Sequence, residues 1–133
     1  MGLSENKPFY NVNNKTLELE CDTYWVEICM AGDIDHAQQF YRRKALEFPE
    51  CLTFTKTKYM YFMGEEEGFF IRRICYPRFK RSKEQIFSRM FDFAFRLMIE
   101  LNQGSFSLID HEKTHTYSWR PDHRPAVYAE DGE

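Results

Sequence analysis

Apolar and polar residues alternate in the first part of the chain and then recur at helical spacing. Over residues 16–30 the apolar positions have a period of two that changes phase near Asp22-Thr23, which predicts β structure with a bulge or turn. From Ile34 to Phe48 the apolar positions fit one face of a helix, and Pro49 ends it. The pattern therefore predicts a strand followed by a helix.

The middle of the chain predicts a β-hairpin. Residues 51–62 and 69–76 are rich in Thr, aromatic and β-branched residues, which is the composition of strands. Between them Gly64, three glutamates and Gly68 form a polar link. We expect this link to connect the strands as an exposed, charged loop that contacts a partner. The glutamates of the loop are Glu65, Glu66 and Glu67.

A long second helix is predicted from Ser82 to Gln103. The Ser82 side chain can cap the helix while Gln85 completes a capping box, and Gly104 stops the helix. Apolar residues cover more than one side of it, so more than one surface must be covered. We expect one side to face the core and another side, carrying Phe95 and Ile99, to face a second chain.

The order of elements is β-α-β-β-α-β, with two short final strands over residues 105–110 and 114–119. This order predicts an α+β fold of the ferredoxin-like βαββαβ type. Two helices would lie on one face of an antiparallel sheet, and a C-terminal β-hairpin would extend that sheet. We expect a flexible N-terminal arm over residues 1–14, a single ferredoxin-like domain over residues 15–120 and a disordered acidic tail over residues 121–133.

The face of the sheet without helices is expected to be aromatic and apolar. Ile71 is placed on this face together with several rings. Such an exposed patch binds something, so we predict a homo-oligomer, a dimer, formed through this face or the long helix. The predicted interface residues are Trp25, Tyr59, Tyr61, Phe69, Phe95 and Ile99.

Composition narrows the class of protein. The 133 residues suit one domain, aromatic residues make up 17% of them, and the net charge of -3 argues against nucleic acid as a partner. The polar first ten residues indicate no signal peptide, and no apolar run approaches the ~20 residues of a membrane span. No pair among the four cysteines has C-x-x-C spacing, so we expect buried, reduced thiols in a cytoplasmic protein.

The histidine-rich stretch from His111 to Trp119 is a candidate for catalysis or metal binding. On a strand, His111 and His115 would be separated by roughly 13 Å, too far to share one metal ion. The second H-x-[ST] pair that two-histidine phosphoesterases use is missing. We therefore interpret the stretch as the last hairpin and predict no metal, no cofactor and no catalytic residue.

The densest basic segment, residues 72–83, ends at a predicted helix N-terminus, where anions are favoured. RNA-recognition domains share the predicted topology, but their third-strand motif is broken at Glu67-Gly68-Phe69, where acidic residues would repel phosphate. The signatures G-x-S-x-G, G-x-G-x-x-G and H-E-x-x-H and the P-loop are absent. A nucleotide or another anion is therefore the predicted ligand of this segment. The candidate anion-binding residues are Arg73, Arg78, Lys80 and Arg81.

Five short segments carry a resemblance to known proteins. They are Ala31–Asp35, Thr55–Tyr61, Gly64–Gly68, Tyr76–Phe79 and Leu101–Ser107. Over about residues 16–120 the chain resembles a group of small, mostly uncharacterised bacteriophage accessory proteins. No activity or catalytic residue is attached to that group, so no functional residue is carried over. The resemblance implies a phage protein that is made in the host cytoplasm and acts on a host process.

Three functional hypotheses follow from the sequence. The leading one is a non-enzymatic protein that binds and modulates a host protein or defence component, with aromatic residues as anchors. The second is a protein that binds a small ligand, a nucleotide or another anion, through residues 72–83. The third is a small hydrolase or metal-dependent enzyme centred on His111, His115 and Asp110.

Overall fold

The computed structural model describes residues 19–119. The predicted arm over residues 1–14, the start of the first predicted strand and the tail over residues 121–133 lie outside the described residues. The elements in chain order are β1 (Trp25–Ala31), α1 (Ile34–Lys44), β2 (Thr53–Tyr61), β3 (Gly64–Ile74), a 3-10 turn (Pro77–Phe79), α2 (Lys83–Glu100), β4 (Ser105–Ile109) and β5 (Thr114–Ser118).

The five strands form one antiparallel sheet in the order β2-β3-β1-β4-β5. Val26, Ile28 and Met30 of β1 are buried, and they alternate with residues that are partly exposed. Ala37 and Phe40 of α1 and the apolar stripe of α2 are buried against the same face of the sheet. The predicted α+β fold with a ferredoxin-like order is confirmed, and β5 extends the sheet beyond β4.

Helix α1 begins where the sequence predicts and ends earlier. The Asp33 side chain accepts a hydrogen bond from the Asp35 backbone N–H at 3.1 Å, which caps the first turn. The helix ends at Lys44, so the prediction that it continues to Phe48 was wrong. Phe48 still reaches the core from the following turn, because its ring stacks on Phe93 at 4.8 Å. Phe48 is apolar because it packs in the core, and its spacing from the helix residues makes the helix look longer in the sequence than it is.

Helix α2 begins at the predicted capping box. The Ser82 hydroxyl accepts from the Gln85 backbone N–H at 3.1 Å, and the Gln85 side-chain oxygen accepts from the Ser82 N–H at 3.0 Å. Near its C-terminus, Asn102 has a positive φ of 57° and the chain leaves the helix there. The cap fixes the position of the first turn of α2, which lines a cleft.

The hairpin between β2 and β3 is tighter than the sequence predicts. Residues 64–68 belong to β3, and the turn is Phe62-Met63, where Met63 has a positive φ of 66°. The predicted link at residues 64–68 was therefore wrong. The three glutamates lie in β3, because residues 65–67 pair with residues 58–60 of β2. The Lys58 ammonium also lies 3.5 Å from Glu65 and 3.8 Å from Glu67.

The shorter turn also changes which β3 residues face the helices. Phe69 and Ile71 are fully buried on the helix side, whereas Phe70 and Arg72 lie on the opposite face. The prediction that Phe69 and Ile71 lie on the open face was wrong, because shifting the turn reverses the side that each strand residue faces. Trp25, Tyr59 and Tyr61 share the face without helices with Phe70 and Arg72, as their strand pairings require.

Candidate functional site

A cleft opens between the first turns of α2 and the turn that joins β4 to β5. Its volume is about 560 Å³, within the range of roughly 300–1,000 Å³ that holds small ligands. We call it the α2–hairpin cleft. Its lining residues are Thr23, Tyr24, Lys83, Glu84, Phe87, Ser88, Asp110, His111, Glu112 and His115.

Local structure on both sides explains why these residues converge. On the helix side, the capping box starts α2 so that Lys83 and Phe87, four residues apart, share one face. On the hairpin side, Asp110 Oδ1 accepts from the backbone N–H groups of Glu112 at 2.8 Å and Lys113 at 2.9 Å, which forms a tight turn. The second carboxylate oxygen, Oδ2, is left to accept from the Tyr24 hydroxyl at 3.3 Å.

Aromatic rings line the walls of the α2–hairpin cleft. The His111 ring lies 5.9 Å from Tyr24 and 4.9 Å from Trp25, and the His115 ring meets Phe87 edge-on at 5.1 Å. The two histidines therefore line one cleft although one is in a turn and the other on a strand. Among residues 19–119, no group of three or more His, Cys, Asp or Glu side chains could hold a metal ion.

Two ionisable groups of the cleft, Tyr24 and Asp110, have pKa values that the surroundings shift. Burial and the Asp110 carboxylate raise the pKa of Tyr24 to about 12, so its hydroxyl stays a donor. Burial also acts to raise the pKa of Asp110, but the hydrogen bonds from Lys113, Glu112 and Tyr24 outweigh burial and lower it. Asp110 is therefore ionised. With Glu84 and Glu112 it gives the cleft three carboxylates against one ammonium, Lys83.

A second concave region, the basic cleft, gathers all four predicted anion-binding residues. Arg73, Arg78, Lys80 and Arg81 line it, and its volume is about 620 Å³. The structure gives Arg73 another role, because its side chain is only 2% exposed and its Nε donates to Glu50 at 2.6 Å. Its other nitrogens donate to backbone carbonyl oxygens at 2.8 and 3.2 Å. The Arg73 guanidinium is therefore held by protein partners, and its role in anion binding stays a prediction.

Glu50 is the residue that sequence reasoning missed in the basic cleft. Its side chain is 1% exposed and also pairs with Arg89 and, at 3.5 Å, with Arg81. The only signal in the sequence is its place between Pro49 and an apolar run, where a lone acid needs a partner if it is buried. The remaining cations leave this cleft with a positive excess.

None of the other predicted contact residues lines either cleft, although the Trp25 ring lies 4.9 Å from His111 of the α2–hairpin cleft. Phe95 and Ile99 are partly exposed on α2, and the three glutamates lie along β3 near the hairpin turn. The turn itself exposes apolar side chains that the sequence analysis did not single out. They are Phe62 and Met63 of the turn, next to the exposed Met60 of β2. Within residues 19–119, no helix combines the length and apolar character needed to cross a membrane.

No family model matches this chain, and no curated protein sequence matches it. Two solved structures share its fold. A phage SAM lyase in the apo state has a TM-score of 0.55 at 12% identity, covering 77% of this chain and 96% of that one. A phage SAM lyase in complex with S-methyl-5'-thioadenosine has a TM-score of 0.56 at 12% identity, covering 78% and 97%.

These matches show the fold and correct the leading hypothesis. The non-enzymatic modulator of a host protein was the wrong interpretation, because the solved structures that share the fold are those of an enzyme, one of them with a small nucleoside bound. The predicted resemblance to phage proteins is supported at the level of fold, since both neighbours are phage proteins. One of the two neighbours holds a small nucleoside, which is the class of ligand named in the second hypothesis.

Proposed function

We propose that this protein is an enzyme that binds S-adenosylmethionine (SAM) and cleaves it, with the α2–hairpin cleft as the ligand site. The observation that carries the proposal is the fold match, which extends over 96–97% of the chain of a phage SAM lyase. The cleft adds support of its own, because its size and chemistry suit a nucleoside with a charged tail.

The parts of SAM correspond to the side chains of the cleft. The flat rings of Tyr24 and Phe87 offer surfaces against which adenine can stack. The sulfonium and ammonium groups are cations, which aromatic faces and carboxylates such as Asp110 attract. The carboxylate of the amino-acid tail can pair with Lys83, whose ammonium lies 5.8 Å from the centre of the Tyr24 ring.

The charge of the ligand indicates which of the two clefts suits it better. SAM has one net positive charge and S-methyl-5'-thioadenosine has none, so neither gains from a strongly basic surface. The α2–hairpin cleft has more carboxylates than ammonium groups, whereas the basic cleft has Arg78, Lys80 and Arg81 around the single carboxylate of Glu50. The α2–hairpin cleft is therefore the better match for the ligand seen with the neighbouring fold.

The reaction breaks the bond between the sulfur and the amino-acid chain. The bonding electron pair passes to the sulfur, which leaves as the neutral thioether S-methyl-5'-thioadenosine. The chain either loses a proton from its β-carbon to a base and becomes an unsaturated amino acid, or its own carboxylate attacks the γ-carbon and closes a lactone. Neither route needs water or an oxidant. Because positive charge disappears from the sulfur, an apolar environment around the sulfur would favour the transition state.

The elimination route requires a base within reach of the chain. His111 and His115 both line the cleft, and a neutral imidazole can accept the proton. Asp110 has a positioning role in this scheme, because its carboxylate holds the Tyr24 hydroxyl and the hairpin turn. Under the lactone route the histidines contribute only to binding.

The decisive experiment incubates the purified full chain with SAM and measures the products by liquid chromatography and mass spectrometry. We expect S-methyl-5'-thioadenosine and a four-carbon product whose mass and retention identify the route. Removing a general base costs between about 100-fold and 10,000-fold in rate, so a loss of this size in His111→Ala or His115→Ala supports elimination. His36→Ala is the matched control, because His36 pairs at 2.9 Å with Glu100, at the end of α2 opposite the cleft.

Calorimetry with S-methyl-5'-thioadenosine provides a readout that does not depend on turnover. We expect binding by the unaltered chain and weaker binding by Phe87→Ala. If SAM is consumed no faster than in buffer and S-methyl-5'-thioadenosine does not bind, the proposal is wrong. Binding that survives Phe87→Ala unchanged would place the ligand outside the α2–hairpin cleft.

A second candidate function is anion binding in the basic cleft. The observation that favours it is the convergence of Arg78, Lys80 and Arg81 around one buried carboxylate, Glu50. Inorganic phosphate and ATP, each added in a thermal unfolding series, should raise the melting temperature, and the double variant Lys80→Ala/Arg81→Ala should remove the increase. An equal increase in that variant would rule out this cleft as the anion site.

A further inference from the structure

Two cysteines that are far apart in the sequence lie together outside the α2–hairpin cleft. The Sγ atoms of Cys21 and Cys75 are 3.6 Å apart, and the Cys21 thiol donates to the Cys75 carbonyl oxygen at 3.2 Å. Both are free thiols. Since a disulfide has an S–S length of about 2.04 Å, the sulfurs need to approach by roughly 1.5 Å to form one.

The backbone around both residues holds them in this arrangement. The Cys75 N–H donates to the Tyr24 carbonyl oxygen at 2.7 Å, which continues the pairing of β1 with β3 by one residue. The Cys75 thiol also lies 3.7 Å from the Arg81 carbonyl oxygen. Cys75 is buried at the end of β3, and Cys21 lies half-buried in the segment that leads into β1. The pair therefore joins the two central strands at one end.

We propose that Cys21 and Cys75 form an oxidisable pair that a peroxide converts to a disulfide. The Cys21 thiolate attacks a peroxide oxygen, and the O–O bond breaks to give a sulfenic acid and one water molecule. The Cys75 thiol then displaces hydroxide from that sulfur, forming the S–S bond and releasing a second water. In total two thiols lose two electrons and two protons, and hydrogen peroxide is reduced to two water molecules.

A cleft of about 560 Å³ gives a small oxidant access to the pair. Burial, followed by the adjacent Cys75, raises the pKa of the Cys21 thiol, and Asp22 acts in the same direction while Lys80 opposes them. Because the thiolate is the reactive form, oxidation should accelerate as the pH rises. The remaining charged groups that line this cleft are Glu20, Arg81 and Lys83.

The disulfide has a structural consequence next to the proposed ligand site. Only Asp22 and Thr23 separate Cys21 from Tyr24, and both Thr23 and Tyr24 line the α2–hairpin cleft. Linking Cys21 to Cys75 fixes this segment to the end of β3 and closes a long loop, so the oxidised protein should melt at a higher temperature. This inference does not depend on the proposed activity.

The test treats the full chain with hydrogen peroxide under native conditions, blocks free thiols and maps the peptides by mass spectrometry. We expect a Cys21–Cys75 linkage that dithiothreitol reverses. Cys21→Ser should abolish it, whereas Cys29→Ser and Cys51→Ser should leave it unchanged. Cys21→Ser is the main variant because Cys21 is only half-buried. Cys75→Ala, checked for native folding by circular dichroism, repeats the test from the other side.

The possible outcomes either support or overturn the proposal. A reversible Cys21–Cys75 linkage that forms faster at higher pH supports it. A linkage that involves Cys29 or Cys51, or oxidation of Cys51 alone as the exposed thiol, overturns it. No linkage after prolonged exposure, in protein that retains two reactive thiols at these positions, overturns it as well.

Discussion

Replacing Glu50 with Gln should destabilise this protein more than most other substitutions that keep the shape of the side chain. Among residues 19–119, the carboxylate paired with the buried Arg73 is that of Glu50, which also contacts Arg89 and Arg81. Gln keeps the shape and one acceptor oxygen, but it leaves the guanidinium of Arg73 without a counter-charge at 2% exposure. Breaking a buried ion pair from one side costs about 3–5 kcal/mol. Because Gln retains an acceptor, we expect about 3 kcal/mol.

Urea unfolding is the appropriate assay for this prediction. A change of about 3 kcal/mol is a large part of the total stability of a domain, about 5–15 kcal/mol, so the midpoint should fall clearly while the slope stays the same. Glu47→Gln is the matched control, because Glu47 pairs with Arg96 at 3.1 Å where both side chains are at least half exposed. That surface pair should contribute less than about 1 kcal/mol.

The pH dependence gives the prediction a second readout. Burial acts to raise the pKa of Glu50, but the hydrogen bonds from Arg73 and Arg89 outweigh it, so the pKa in the folded protein lies below the ordinary value of 4.5. The stabilisation is therefore complete above pH 4.5 and is lost as the pH falls through the lower pKa. The difference between the unaltered protein and Glu50→Gln should shrink in that range. A Glu50→Gln effect at neutral pH that is no larger than that of Glu47→Gln would refute this reasoning.

Three further predictions concern the fold and its assembly. Ser82→Ala should cost about 1 kcal/mol through loss of the α2 cap, and no loss in chemical unfolding would contradict that role. Gly68→Ala should cost about 1–3 kcal/mol, because a Cβ there would lie 2.2 Å from the Tyr59 ring and 2.7 Å from the Met30 carbonyl oxygen; unchanged stability would mean that both neighbours can move. Light scattering at the mass of a monomer would reject the predicted homo-oligomer.

The sequence predicts the order of the elements well because each element has a local signal. The capping box at Ser82 and Gln85, the helical spacing in α2 and the short β4–β5 hairpin all depend on residues that are close in sequence. Their physical causes are local hydrogen bonds and periodicity. The two-residue turn at Phe62-Met63 has no such signal, since neither residue favours a positive φ. That one turn decides which face Phe69 occupies.

The candidate site is harder to predict because it depends on long-range contacts. Tyr24 and Asp110 are 86 positions apart and meet only after β1 and β4 pair. Distance along a strand separates His111 from His115, but it could not show that both line one cleft with Tyr24. For the same reason, Arg73 looked like a surface cation until the structure placed Glu50 beside it.

Ionic strength provides a way to decide which cleft a ligand occupies without altering the protein. Salt screens interactions between exposed charges, with a Debye length of about 8 Å at 0.15 M and about 3 Å at 1 M. Binding of ATP or phosphate among Arg78, Lys80 and Arg81 should therefore weaken strongly as salt is added. S-Methyl-5'-thioadenosine is uncharged, so its binding between Tyr24 and Phe87 should change little or strengthen slightly, because apolar contact does not depend on screening. Steep salt dependence for this neutral nucleoside would contradict the assignment of its site.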